Sequence, residues 1–148
     1  MRAFLIAALA LAGCAHAPDA SAPPPQPASQ LAQDIGAENE RLDRELGADG
    51  VFAAGIGETA DLGGGLIVRP LAVIEDSRCP VDVMCVWAGR LVLRANVSGV
   101  ERELTLGQQL ATPNGALVLT VARPAPRHNR PEGETSRPSY RFGFRRGD

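Results

Sequence analysis

From Cys85 to Val97 the chain alternates with a period of two, with Cys85, Trp87, Gly89, Leu91, Leu93, Ala95 and Val97 on one side and Val86, Arg90, Arg94 and Asn96 on the other. That period belongs to a pleated strand with one buried face, not to a helix. It makes this segment the expected centre of an all-β core, with Cys85 and Trp87 on its inner face. The flanking sequence fits the same plan. Ser98 and Gly99 form a tight turn into 100–106, where Glu101, Glu103 and Thr105 alternate with Leu104 and Leu106 as a hairpin partner would. Asn114 and Gly115 repeat the device before Leu117, Leu119 and Val121. Leu66 to Ile74 reads as an earlier strand whose Pro70 lacks a ladder donor, so an edge or a bulge is expected there. In a last strand Tyr140, Phe142 and Phe144 share a face opposite Arg141 and Arg145. The expectation is a small antiparallel sandwich or barrel of five to six strands over residues 51–148.

Ahead of this domain the composition changes. Arg2 precedes an apolar run from Ala3 to Ala12, far shorter than the roughly 20 residues that cross a bilayer, and the run ends in Leu11, Ala12, Gly13 and Cys14. These four residues resemble the lipobox of bacterial lipoproteins. The resemblance implies a signal peptide over 1–13 and a lipidated Cys14 as the first residue of the mature chain. Ala15 stands where an Asp would signal inner-membrane retention, which by the same resemblance implies the outer membrane, facing the periplasm. Ala, Pro and Ser up to about Pro27 cannot bury apolar area and read as a disordered tether. Leu31, Ile35, Leu42 and Leu46 then fall near helical spacing, which predicts a short helix between about Ser29 and Leu46, interrupted at Gly36. Such a helix could dock on the domain, pair with another helix or fray. Residues 14–50 thus form the anchor, tether and helical segment.

With Cys14 lipidated, Cys79 and Cys85 are the remaining thiols, and in an oxidising compartment an even pair across a short loop is most simply a disulfide. Trp87 reads as a core ring covering that bridge, with ligand stacking as the alternative. Asp76 and Asp82 read as turn residues. Arg78 is the leading candidate in the loop for an exposed partner contact, or else the partner of Asp76 or Asp82 in a salt bridge. The run Glu75, Asp76, Ser77, Arg78, Cys79, Pro80, then Asp82, Val83, Cys85, Val86, Trp87, Ala88, Gly89 resembles a motif of small, largely uncharacterised bacterial envelope proteins, often lipoproteins. The resemblance covers about Leu66 to Phe144 and includes Tyr140. It implies a β domain and brings no assigned reaction.

Other chemistry finds little footing. His16 lies in the tether and His128 in a Pro/Arg-rich segment, so no Ser-His-Asp arrangement is suggested. Gly55, Gly57, Gly63, Gly64 and Gly65 lack the Gly-Lys-Ser/Thr and strand-to-helix context of a phosphate loop. All 15 basic residues are Arg, and the formal net charge is −2, so no global basic field points to nucleic acid. Charge is unevenly placed, with seven Arg and three acids from Arg123 to Asp148 against eight acids and two Arg from Asp34 to Asp61. Arg141 and Arg145, expected to point outward, are therefore candidate contacts for an anionic envelope component, unless the acidic segment pairs with them. The combined expectation is a non-catalytic, cofactor-free protein, anchored to the membrane through Cys14, whose β domain binds a protein or a cell-wall component. Two alternatives stand beside it: inhibition of a hydrolase through the disulfide-held loop, and a redox or metal role for Cys79 and Cys85.

Overall fold

The computed structural model describes residues 27–128 and 139–147. The expected signal peptide, Cys14, His16 and the expected tether up to residue 26 lie outside the described residues, as do 129–138 and 148. The described chain runs α1 (Ala28–Leu46), β1 (Phe52–Gly55), β2 (Ala60–Asp61), β3 (Ile67–Asp76), β4 (Leu91–Val97), β5 (Val100–Thr105), β6 (Gln109–Thr112), β7 (Gly115–Arg123) and β8 (Arg141–Arg146). Eight strands form two antiparallel sheets, ordered β1-β8-β7-β6 and β2-β3-β4-β5, and neither closes into a barrel. The strand count exceeds the expected five to six. The additional strands, β1, β2 and β6, are two to four residues long, too short to carry a readable period.

The two sheets share one core in a sandwich-like arrangement. Val68, Leu91, Leu93, Ala95 and Leu104 from one sheet meet Ala54, Leu117, Leu119, Phe142 and Phe144 from the other. Burying such side chains is the dominant favourable contribution to a domain of this size. The turn expected at Ser98 and Gly99 is present: both residues have positive φ (49° and 91°) between paired Val97 and Val100, as the right-handed twist of a two-residue hairpin requires. The β6–β7 hairpin turns instead through Pro113 and Asn114, with Gly115 already paired to Thr112. Pro70 sits at a bulge, where the β3–β4 register slips between Pro70 and Ala72, and beyond Ile67 and Val68, the two residues that β2 pairs, so its missing donor faces no second strand.

A bulge in β7 does more for the architecture. Leu119 pairs with Phe144 but Val121 pairs with Gly143, so one extra residue enters β7 and the alternation reverses. Leu117 and Leu119 point into the sandwich, whereas Val121 turns to the opposite side and Ala122 takes the inner position. Val121 does not share a face with the two leucines, contrary to the simple alternation. Outside, it lies beneath α1, where Leu42 and Leu46 are buried with Val121 and Ala125.

Helix α1 is continuous through Gly36, where an interruption of the helix was expected. An added Cβ at Gly36 would meet nothing within 4 Å, so the glycine faces open space and costs only its intrinsic propensity of roughly 1 kcal/mol. Docking is close at the helix C-terminus. A Cβ at Gly143 would come within 2.8 Å of Val51 and 3.3 Å of Leu46, so the absent side chain makes room for the helix. The Asn39 Oδ1 atom accepts the Ala125 amide at 3.1 Å, and Arg123 pairs with Asp43 at 3.0 Å. Arg41 bonds both Glu38 and Glu45 along the exposed side.

Candidate functional site

Residues 77–90 connect β3 to β4 and carry the whole cysteine–tryptophan motif. The regular ladder begins at Leu91, six residues later than the alternation from Cys85 implies. The neck of the loop is nonetheless paired. Ser77 N donates to Arg90 O at 2.8 Å, Arg90 N to Ser77 Oγ at 3.1 Å, and Cys79 N to Ala88 O at 3.2 Å. Gly89 has φ +64°, and a Cβ there would sit 1.7 Å from the Ser77 carbonyl oxygen. Only glycine lets the two arms of the neck cross this closely. Beyond the neck, the Cys79–Cys85 disulfide closes the loop, as the pairing of the two thiols anticipated.

Trp87 is not a core residue. It is 77% exposed, and Met84 and Val86 are each 87% exposed, while the next large apolar side chain, Val100, reaches 47%. The reason is geometric. The β3–β4 ladder ends at paired Asp76 and Leu91, and among the described residues no strand is paired past that point to carry the sandwich over the indole. The space at the end of the sandwich is taken by Arg78, whose exposed-contact reading is likewise overturned. Its side chain is 14% exposed. Its Nε and Nη2 atoms donate to the two Asp76 oxygens at 2.8 Å each, Nη1 to Ala122 O at 2.6 Å, and Nη2 also to Pro124 O at 2.9 Å. The salt bridge to Asp76, the alternative in the sequence, is the arrangement found.

Asp76 is the hub of this end of the molecule. The Tyr140 hydroxyl donates to its Oδ2 at 2.9 Å, across from Arg78. Burial pushes the carboxyl up, but the bonds and charge of Arg78 and the Tyr140 hydroxyl outweigh it and hold Asp76 below the usual carboxylate range. Two further ties secure the loop's far side: Val81 N donates to Pro126 O at 3.1 Å and His128 N to Asp82 Oδ1 at 2.8 Å. Val81 also packs against the Leu42–Val121 cluster. Tyr140 and the β7–β8 connection were not singled out as supports of the loop, because no local period links residues so distant in sequence.

The assembled feature is a rigid base with an apolar tip. Beside it, a cleft of about 400 Å³ opens between α1, the loop and β7, lined by Glu38, Arg41, Arg78, Val81 and Val121. Its charged groups are already bonded to one another or to backbone. Both cysteine sulfurs are engaged in the bridge, and among the described residues no three His, Cys, Asp or Glu side chains come together. Arg141 and Arg145 are exposed, as expected, on the opposite side of β8 from Phe142 and Phe144. Arg141 lies 3.7 Å from Glu58, and Arg145 donates to the Asp49 carbonyl at 3.2 Å, so the acidic segment takes part of their hydrogen-bonding capacity. Arg146 was not anticipated as a structural residue, yet it ties Leu62 O, Gly63 O and Asn114 O together at the other end of the sandwich. Among the described residues no helix is long and apolar enough to cross a membrane. No protein-family model matches the chain, and neither the curated proteins nor the solved structures contain a match.

Proposed function

We propose that this chain is a non-catalytic envelope protein, anchored through lipidated Cys14 on the periplasmic side of the outer membrane, which works by contact through the apolar tip at 83–87. The observation that carries the reading is the concentration of the three most exposed large apolar side chains among the described residues on one short loop, Met84 inside the ring that the Cys79–Cys85 bridge closes and Val86 and Trp87 directly after it. Scattered exposed apolar residues are normal on a protein surface, but a cluster held out on a braced loop marks an interaction site. Preorganisation supports binding because little conformational freedom is lost when the tip is seated. The tip offers no acid, base or nucleophile, and its chemistry suits an apolar surface better than an anionic polymer. Arg141 and Arg145 remain the candidate contacts for the latter.

Hydrolase inhibition is a second use of the same feature, since a disulfide-held loop is also the form of a rigid plug. A photoreactive side chain placed at Val86 tests the tip in intact envelopes, with the same probe at Glu103 on β5 as control. The reading expects a discrete adduct from position 86 and none from 103. Equal labelling from both positions contradicts it. Fatty-acid incorporation into the wild type, lost in Cys14→Ser, tests the anchor separately.

A further inference from the structure

The tip and the tether leave the molecule at the same end. The 77–90 loop lies at the end of the sandwich where Arg78 reaches Ala122 O and Pro124 O and Tyr140 reaches Asp76. Helix α1 points the same way. Its C-terminal Leu46 packs at Gly143, beside Val121, whereas Asn39 bonds Ala125, four residues further toward the loop. Following the helix backwards therefore leads along β7 to the loop, and Ala28 lies a further 11 residues, or roughly 16 Å of helix, in that direction. The chain toward Cys14 departs from the loop's pole.

We infer that the apolar tip seats in the interfacial layer of the bilayer that carries the lipid anchor, giving the domain a second membrane contact and a fixed orientation. This inference rests on the anchored reading above and names the surface that the tip meets. Met84 and Val86 supply apolar area, and Trp87 supplies the amphipathic ring that favours the headgroup level. A convex tip needs no complementary cleft to enter a lipid interface. The 13 residues from Ala15 to Pro27 span at most roughly 45 Å, which keeps this pole close to the anchoring membrane. A tether of that length makes the second contact intramolecular, with an effective concentration on the order of millimolar, so a contact weak in free solution is well populated.

Trp87 is the chain's one tryptophan, so its emission reports the tip alone. The experiment uses the full lipidated protein on phosphatidylcholine vesicles whose acyl chains are brominated near the headgroup. The expected result is a blue-shifted Trp87 emission, quenched by the brominated chains. Val86→Asp, which keeps the indole and alters an exposed position, should abolish both signals while the lipid anchor still holds the protein on the vesicles. In unlipidated Cys14→Ser protein the tip acts alone, and Val86→Asp should lower vesicle affinity at least about tenfold. Protein that sediments with vesicles through its anchor while Trp87 remains solvated and unquenched overturns the inference and leaves the anchor standing. Absent acylation of Cys14 overturns the anchor instead, and the Cys14→Ser arm then decides the tip by itself. A Val86 photoadduct formed only with protein in intact envelopes also overturns the inference, in favour of a partner with an apolar cleft.

Discussion

A methyl group at Gly89 would meet the Ser77 carbonyl oxygen at 1.7 Å, in a backbone conformation that L side chains disfavour. Gly89→Ala should therefore open the neck of the loop while leaving the sandwich folded, seen as faster amide exchange at Cys79 and Arg90 with little change at Leu93 or Leu119. Arg78 braces the same neck from inside. Arg78→Met removes four hydrogen bonds and strands the mostly buried Asp76 carboxylate, and is expected to cost about 3 kcal/mol in denaturant unfolding. Trp87→Ser, by contrast, should change stability by about 0.5 kcal/mol or less, against roughly 3–5 kcal/mol for Phe142→Ala in the fully buried core. The alternation through Cys85 and Trp87 misplaced this ring because a pattern of residues reports which side of a strand faces inward, not where the opposing sheet stops. Arg78 was legible only as a choice between exposure and a salt bridge. Its carbonyl partners come from β7 and the residue after it, which no short-range pattern joins to the loop.

At the scale of elements, patterns were most readable where a strand kept a single register. β4 and the β4–β5 hairpin follow the alternation from Leu91 through Leu104. β7 departs from it because one bulge residue exchanges the faces of Val121 and Ala122, and that exchange supplies the patch on which α1 docks. The helical stripe was visible, but docking, pairing and fraying could not be separated until the bulge placed Val121 outside. Leu42→Ala is expected to cost about 2–3 kcal/mol and to raise amide exchange across α1, with the core of the sandwich protected as before. Reducing the Cys79–Cys85 bridge, a closure over six positions, should cost about 2 kcal/mol and leave a foldable domain, because the backbone bonds of the neck remain. A melting curve with and without reductant checks this, and complete unfolding on reduction would show that the neck depends on the bridge.

Across the described residues, one end of the sandwich is fastened by Arg146 and the other by the Asp76–Arg78–Tyr140 group, and the second end carries the three most exposed large apolar side chains, Met84, Val86 and Trp87. Asp76 couples that end to pH. Its folded pKa is depressed, so its contribution is fully present above the unfolded value of 3.8 and is lost as pH falls through the folded value. The melting temperature should accordingly fall below about pH 4, and Asp76→Asn should lower stability at neutral pH and flatten that acid limb. An unchanged acid limb in the variant would assign acid sensitivity to other carboxylates. The central claim is that the motif's tryptophan is presented rather than packed, and emission from Trp87 in the purified, folded protein in plain buffer tests it most directly. The structure predicts the red emission of a solvated indole, accessible to a polar quencher, that changes little when denaturant unfolds the chain. A blue emission protected from the quencher and shifting red on unfolding would contradict it, and would return Trp87 to the core.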